Sequence, residues 1–443
     1  MDQRKEFKMN IVLLSGGSGK RLWPLSNDIR SKQFIKFFKK SDGTYESMVQ
    51  KIYRKIKDID TEAVITVATS KSQVSAINNQ LGEDVGISVE PCRKDTFPAI
   101  ALAIAYLYDV KKVSPDEAVV ICPVDPYVDD EYFYSLNKLY ELAYKKQSNI
   151  VLMGIEPTYP SEKYGYIIPK DNKNVSKVKT FKEKPSEKVA SEYIKEGALW
   201  NSGVFAFKID YLLKIAHELI EFKDYYDLLA KYDTLDKISF DYAVVEKEKD
   251  ISVMRFSGEW KDLGTWNTLT EAMDDRTIGN VIVDDKCINT NIINELDIPI
   301  LCMGVEDVVV SASPEGILVS DKEESSRLKT YVEKIEQPVR FAEKSWGTYK
   351  VIDTSEDSMT VKLKLKAGGS MKYHSHSGRD EIWNIISGEG YSIIDGEKMN
   401  VGVGDVISIH KGQKHSLTAI SELEVVEIQL GENISVDDKV KYI

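Results

Sequence analysis

Residues 11–24 read Ile11-Val12-Leu13-Leu14-Ser15-Gly16-Gly17-Ser18-Gly19-Lys20-Arg21-Leu22-Trp23-Pro24. The apolar run is the length of a short buried strand. It opens into a glycine-rich turn with two cations at its far side. Glycines let backbone N–H groups converge on an anion, and Lys20 and Arg21 supply charge suited to a triphosphate. Two familiar glycine loops fail on spacing. A P-loop carries Ser or Thr after Gly-Lys, and Arg21 follows here. The dinucleotide fingerprint G-x-G-x-x-G/A ends here on Leu22.

Working outward, apolar runs at Ile11–Leu14, Ala63–Ala68, Ala118–Ile121 and Ile150–Gly154 alternate with segments of helical period such as Ala99–Tyr108 and Tyr132–Tyr144. This βαβ rhythm predicts an α/β fold with a doubly wound, Rossmann-like, mostly parallel sheet. Such sheets bind ligands at the carboxyl ends of their strands, where Ser15–Arg21 falls. From about Arg276 to Val332 short β-rich pieces alternate with Asp, Asn and Ser, predicting a β linker module, followed by a helix near Glu323–Ile335. The final segment is all β, with Met359–Leu365, Ile382–Ile386, Gly390–Ile394, Asp405–Ile409 and Leu423–Gln429 predicting a small barrel or jelly roll. The expected divisions are 1–275, 276–335 and 336–443.

The chain has 443 residues, room for two or three domains, with 42% hydrophobic and 29% charged residues, as in ordinary globular proteins. A net charge of −12 argues against nucleic-acid binding, which needs clustered cations. It also calls for local cations and a divalent metal wherever a nucleotide is held. The four cysteines (Cys92, Cys122, Cys287, Cys302) form no C-x-x-C pair and read as free thiols of a reducing, cytoplasmic compartment. The charged N-terminus lacks a signal-peptide core, and no apolar stretch is long enough to cross a bilayer, so no membrane partner is expected.

Several polar groups sit where chemistry could use them. Asp125, in Pro123-Val124-Asp125-Pro126, follows a buried run, and Asp262 lies in Trp260-Lys261-Asp262-Leu263-Gly264-Thr265-Trp266. A carboxylate just past a strand can bind Mg²⁺ that bridges phosphate oxygens, although a lone Asp there is more often a cap or turn residue. Lys32 lies in Ser31-Lys32-Gln33-Phe34, and Lys184 in Phe181-Lys182-Glu183-Lys184-Pro185. Trp200-Asn201-Ser202-Gly203 suits a sugar face.

Taken together, Ser15–Pro24, Ser31–Phe34, Glu90–Thr96 with Pro98, Gly154–Pro160 with Tyr164-Gly165-Tyr166, Phe181–Pro185, Trp200–Gly203, Asp241-Tyr242 with Glu246-Lys247, and Trp260–Trp266 resemble, in order, the mannose-1-phosphate guanylyltransferases, which are sugar-nucleotide pyrophosphorylases. The resemblance spans roughly the first 335 residues. It implies that GTP and mannose 1-phosphate are the substrates. Ser15, Gly16, Gly17, Gly19, Lys20 and Arg21 would hold the nucleotide. Arg21 and Lys32 would offset charge on the triphosphate and departing pyrophosphate, and Asp125 and Asp262 would hold Mg²⁺. Glu183 and Lys184 would contact the sugar phosphate, with Gly165 and Asn201 near the sugar. The family's linker implies a homo-oligomer. Ser31 stands where proline is usual and Lys20 where threonine is common.

Four of the five histidines fall in the all-β tail. Gly368-x5-His374-x-His376-x4-Glu381-x6-Gly388 and Gly404-x7-Gly412-x2-His415 resemble the two cupin motifs. Residues i and i+2 of a strand share a face, so His374 and His376 can point together, with Glu381 and His415 completing a site for Zn²⁺ or a similar divalent metal. A cupin behind a guanylyltransferase resembles bifunctional enzymes whose tail is a type II mannose-6-phosphate isomerase. That family has Arg directly after the second His, then x-Glu-His-Trp. Here Ser377-Gly378 intervene before Arg379, and Ile382 replaces the third His before Trp383. The departure leaves a sugar-phosphate sensor or an assembly module as the alternative reading of the tail.

Overall fold

The apolar run lies inside a strand, β1 (Asn10–Ser15), that is hydrogen-bonded on both sides to parallel neighbours. A strand buried on both faces has no use for polar alternation, which is why four consecutive apolar residues mark it. The structure, a computed structural model, describes residues 8–16, 19–27, 29–432, 434 and 438–442. Gly17 lies outside the described residues.

Two compact units are formed: Met1–Gly17, Lys36–Val74 and Asp84–Gly264 make one, and Ser18–Ile35, Ser75–Glu83 and Thr265–Ile443 the other. The first is built on a nine-stranded sheet. Its strands after β1 are β2 (Val64–Ser70), β3 (Gly86–Glu90), β4 (Ala118–Pro123), β5 (Ile150–Ile155), β6 (Tyr166–Pro169), β7 (Val175–Lys182), β8 (Leu199–Lys208) and β9 (Ile251–Phe256). Their spatial order is β3-β2-β1-β4-β8-β5-β9-β7-β6. The chain winds outward from β1 to β2 and β3, then returns to place β4 on the other side. The carboxyl ends of β1 and β4 therefore flank a switch point, where such sheets leave a crevice. β8 runs antiparallel to β4 and β5, so the sheet is mixed. Helix Thr96–Ala105 is almost wholly apolar and buried because it is covered by helices Ile209–Leu219 and Tyr225–Lys231 as well as by the sheet.

In the second unit, Thr277–Ile278, Asn291–Asn294 and Val308–Ser313 stack in parallel, as do Val281–Val283 and Ile300–Cys302, around Cys287, Ile292, Cys302 and Val310. All four cysteines are free. The helix expected near Glu323–Ile335 is instead a 3-10 turn, Glu324–Arg327, and one α-turn, Lys329–Val332. The Ser325 hydroxyl donates to Lys322 O at 2.5 Å, and that local bond competes with a continuous α-helix. Beyond it, sheets of six and five strands enclose a core that includes Leu363, Trp383, Ile407, Leu417 and Val425.

Charged groups fasten this unit internally. Arg30 makes a two-pronged ion pair with Glu295 (2.7 and 2.9 Å). The buried Glu315 carboxylate accepts from Asn27 Nδ2 at 2.8 Å and from the Arg340 and Phe341 amides at 2.9 Å each. Asn79 Nδ2 donates to Lys344 O and Gly347 O (2.7 and 3.0 Å).

Candidate functional site

In the first unit the glycine turn leaves β1 at Ser15, whose carbonyl accepts from the Thr69 hydroxyl at 3.3 Å. Val124 N donates to Leu14 O at 3.3 Å, which holds the Asp125 loop against the end of β1. A two-stranded ribbon then pairs Pro126–Val128 with Trp260–Asp262, Asp262 standing opposite Pro126. Asp125 and Asp262, 137 positions apart in sequence, thus become neighbours beside the start of the glycine turn.

Next to them lies a second cluster. Glu183 is buried, and its carboxylate pairs with Lys184 Nζ at 2.8 Å. Lys184 N donates to Tyr164 O, and its backbone takes φ +45°, a conformation a lysine seldom adopts. A Cβ on Gly165 would lie 2.5 Å from Glu183 Oε2, so only glycine lets that carboxylate occupy its place. Asn201 N donates to Gly165 O at 2.8 Å, and Asn201 Nδ2 donates to Asp241 Oδ1 at 2.7 Å. Gly165, Glu183, Lys184 and Asn201 therefore meet. Burial and the nearby Glu183 carboxylate push Asp241 up to about 7. Tyr164 joins the two clusters: its ring lies 4.7 Å from that of Trp200 and 5.8 Å from that of Trp260, beside Asp262. Among the described residues the buried Trp260 Nε1 donor has no hydrogen-bond partner, which leaves it available to a ligand acceptor.

Lys20, Arg21 and Lys32 fall in the second unit. Gly19–Leu22 forms a 3-10 turn that presents an exposed Arg21, and Lys32 opens a second such turn, Lys32–Phe34.

Inside the all-β tail, the ligating atoms of His374, His376 and His415 lie within 4.8 Å of one another. Each Nδ1 meets a backbone carbonyl: Lys372 O (2.6 Å), Gln413 O (2.9 Å) and Asp438 O. This places the proton on Nδ1 and leaves each Nε2 as an acceptor, that of His376 lying 3.0 Å from the Arg379 guanidinium. Burial pushes His376 down to about 4 and His374 further, so both stay neutral at pH 7, as metal ligation requires. Among the described residues nothing hydrogen-bonds the buried His415 Nε2. The donor set fits a divalent metal. Glu381 lies 3.2 Å from His376 Nε2 and 3.4 Å from His415 Nε2, but its Oε1 is also held by Arg379 Nε at 2.9 Å.

The altered motif has a structural resolution. Along Asp380–Ser387, Glu381 and Trp383 are buried, while Ile382 falls on the opposite face. The missing histidine therefore takes no ligand from the pocket. The inserted Ser377-Gly378 is held by Asp438, whose carboxylate accepts from Ser377 N, Ser377 Oγ and Gly378 N at 2.7–2.9 Å. Arg379 turns inward, its guanidinium 3.0 Å from His376 Nε2.

Sequence reasoning assigned no role to Asp241, Trp260, Asp438 or Lys439. Asp241 and Trp260 stand in quoted motifs; nothing in the sequence marks the other two.

A model of nucleotidyl transferases matches residues 10–278, and one of the cupin domain matches 361–429. The chain belongs to the nucleotidyl transferase family. This nucleotidyl transferase is 28% identical to mannose-1-phosphate guanylyltransferase ManC of Salmonella typhimurium, over 99% of this chain and 98% of the relative. It is also 28% identical to the xanthan biosynthesis protein XanB of Xanthomonas campestris, over 97% of each chain. A solved structure titled mannose-1-phosphate geranyltransferase, from Thermus thermophilus, superposes with a TM-score of 0.60 at 26% identity, covering 74% of this chain and 98% of that one. Among the described residues no helix is long and apolar enough to cross a membrane.

Proposed function

We propose that this nucleotidyl transferase moves GMP from GTP to mannose 1-phosphate, releasing pyrophosphate and forming GDP-mannose. The observation that supports the reading is the pairing of Asp262 with Pro126, the residue after Asp125, which makes the two aspartates neighbours along the ribbon that follows β4. Full-length similarity to proteins named for this reaction supports the choice of substrates.

An oxygen of the sugar 1-phosphate attacks the α-phosphorus of GTP in line. The new P–O bond forms as the bond to the β-phosphate oxygen breaks, and pyrophosphate leaves with that electron pair. The nucleophile is already ionised at neutral pH, so no strong base is required, and positioning and charge neutralisation dominate the rate. Asp125 and Asp262 would hold Mg²⁺, whose chemistry is to offset phosphate charge. Ser15, Gly16, Gly17, Gly19 and Lys20 hold the nucleotide, and Arg21 and Lys32 neutralise the triphosphate. Lys184, braced by Glu183, takes the sugar phosphate, while Asn201 and the Gly165 strand take the sugar.

For the tail we propose a metal held by His374, His376, His415 and Glu381, and interconversion of mannose 6-phosphate and fructose 6-phosphate. The outward position of Ile382 and the inward Arg379 favour this activity over a purely assembling role.

A panel of four nucleoside triphosphates against several hexose 1-phosphates, read as pyrophosphate, tests the transfer. The expected result is turnover with GTP and mannose 1-phosphate well above every other pair. Equal or better turnover with another pair overturns the assignment.

A further inference from the structure

We propose that Asp438 and the short strap it opens, Asp438–Tyr442, are positioning elements for the metal ligands His374 and His376. The proposal rests on the reading of the tail as a metal site and is independent of both reactions proposed above.

The three imidazoles are held in two different ways. His374 Nδ1 meets Lys372 O and His415 Nδ1 meets Gln413 O, each carbonyl lying two residues before its histidine. Those acceptors come with the local backbone. His376 Nδ1 meets Asp438 O, 62 positions further along the chain. A ligating imidazole is aimed by the partner of its other nitrogen, so the strap sets the direction of His376 Nε2. The Arg379 guanidinium lies 3.0 Å from that nitrogen and competes for its lone pair, so the ring's aim depends on what grips its other side.

The inserted pair explains why the hold is remote. Ser377-Gly378 forms a bend between His374–Ser375 and Asp380–Ser387, directly after His376. The Asp438 carboxylate accepts from Ser377 N at 2.9 Å, from Ser377 Oγ at 2.7 Å and from Gly378 N at 2.7 Å. One residue thus grips the ring with its carbonyl and the bend that follows the ring with its carboxylate.

The strap extends the same hold to His374. His374–Ser375 is a strand of two residues, too short to fix itself. It pairs with the His415 strand at His374 alone, and with Val440–Lys441 at both residues. The strap therefore makes it an interior strand of the five-stranded sheet. Tyr442 anchors the far end: its N donates to Tyr373 O at 2.9 Å, its hydroxyl lies 2.9 Å from Ser375 Oγ, and Lys414 Nζ sits 4.4 Å above its ring. What the strap contributes is geometry and not attraction, because the Lys439 charge, within electrostatic reach of His374, disfavours a cation there.

The test is the affinity of the full-length, metal-free protein for Co²⁺ and Zn²⁺, measured by competition with a chromophoric chelator. The Co²⁺ ligand-field spectrum reports ligand geometry. The parent should bind either ion stoichiometrically. Asp438→Ala should weaken binding by about tenfold and shift the Co²⁺ bands, and a chain shortened before Asp438 should lose about a hundredfold. Asp438→Asn, which keeps the carbonyl and one acceptor oxygen, should fall between the parent and Asp438→Ala. Lys439→Met leaves the backbone bonds in place and should bind at least as tightly as the parent. Melting of the metal-free Asp438→Ala protein should shift by only a few degrees, which separates lost aim from lost fold. Parental affinity and an unchanged Co²⁺ spectrum in both Asp438→Ala and the shortened chain would overturn the proposal and leave the metal site standing. A parent protein that binds neither ion would overturn both.

Discussion

At the ends of β1 and β4 the reactive groups stand on loops and ribbons: Asp262 is exposed and Asp125 half-buried. Inside the cupin barrel the imidazoles of His374, His376 and His415 are all at most 3% exposed. The triphosphate proposed for the first centre is highly charged and hydrated, and the exposed Asp262 and half-buried Asp125 keep charge within reach of water. The second keeps its ligands neutral by burial and aims them with backbone carbonyls. The metal proposed for each centre would thus be met by two different uses of solvent.

The largest expected effects separate the two centres. Asp262→Ala should lower pyrophosphate release by about a thousandfold or more while the melting curve stays unchanged. Near-parental turnover in that variant would remove the distinction drawn above. His374→Ala should instead abolish stoichiometric divalent metal in the purified protein, measured by elemental analysis, and leave pyrophosphate release within about twofold of the parent. Gly165→Ala comes next. The new methyl displaces Glu183, and the Michaelis constant for mannose 1-phosphate should rise by roughly tenfold with a smaller change in kcat.

The smallest effect is a pH dependence. Asp241 is raised above its unfolded value of 3.8 to about 7, so between those limits the folded chain holds a proton that the unfolded chain has released. Its contribution to stability is present at low pH and is lost as pH rises through about 7. Melting should therefore be a few degrees lower at pH 8 than at pH 6, and Asp241→Asn should flatten that slope. An unchanged slope in the variant would place the titrating group elsewhere.

Much of the first centre was legible because its residues sit in short frames that follow buried strands. The run Ile11–Leu14 announced β1, and the frames around Asp125 and Asp262 announced carboxylates. What could not be read was how much burial Asp241 suffers, since that depends on Glu183, 58 positions away in sequence. In the tail the histidine spacing was readable, but its departures were misleading as letters. Ile382 matters little because strand alternation turns it away, and Ser377-Gly378 is absorbed by Asp438, about sixty residues onward. Alternation is a local rule and could have been applied to Ile382. The strap is a long-range contact with no local signature, so Lys439 stayed hidden.

The buried Glu315 has a practical consequence. Its carboxylate is satisfied by the amides of Arg340 and Phe341, which lie past the point where the chain would naturally be cut to separate its two chemistries. A protein shortened at Gln337 would keep Asp125, Asp262, Arg21 and Lys184, yet strand an acid group in the interior and expose the amide of Asn79. Failure of such a fragment would report a lost fastening and not a shared catalytic step, so the proposed transfer and the proposed isomerisation are better dissected by point substitution than by scissors.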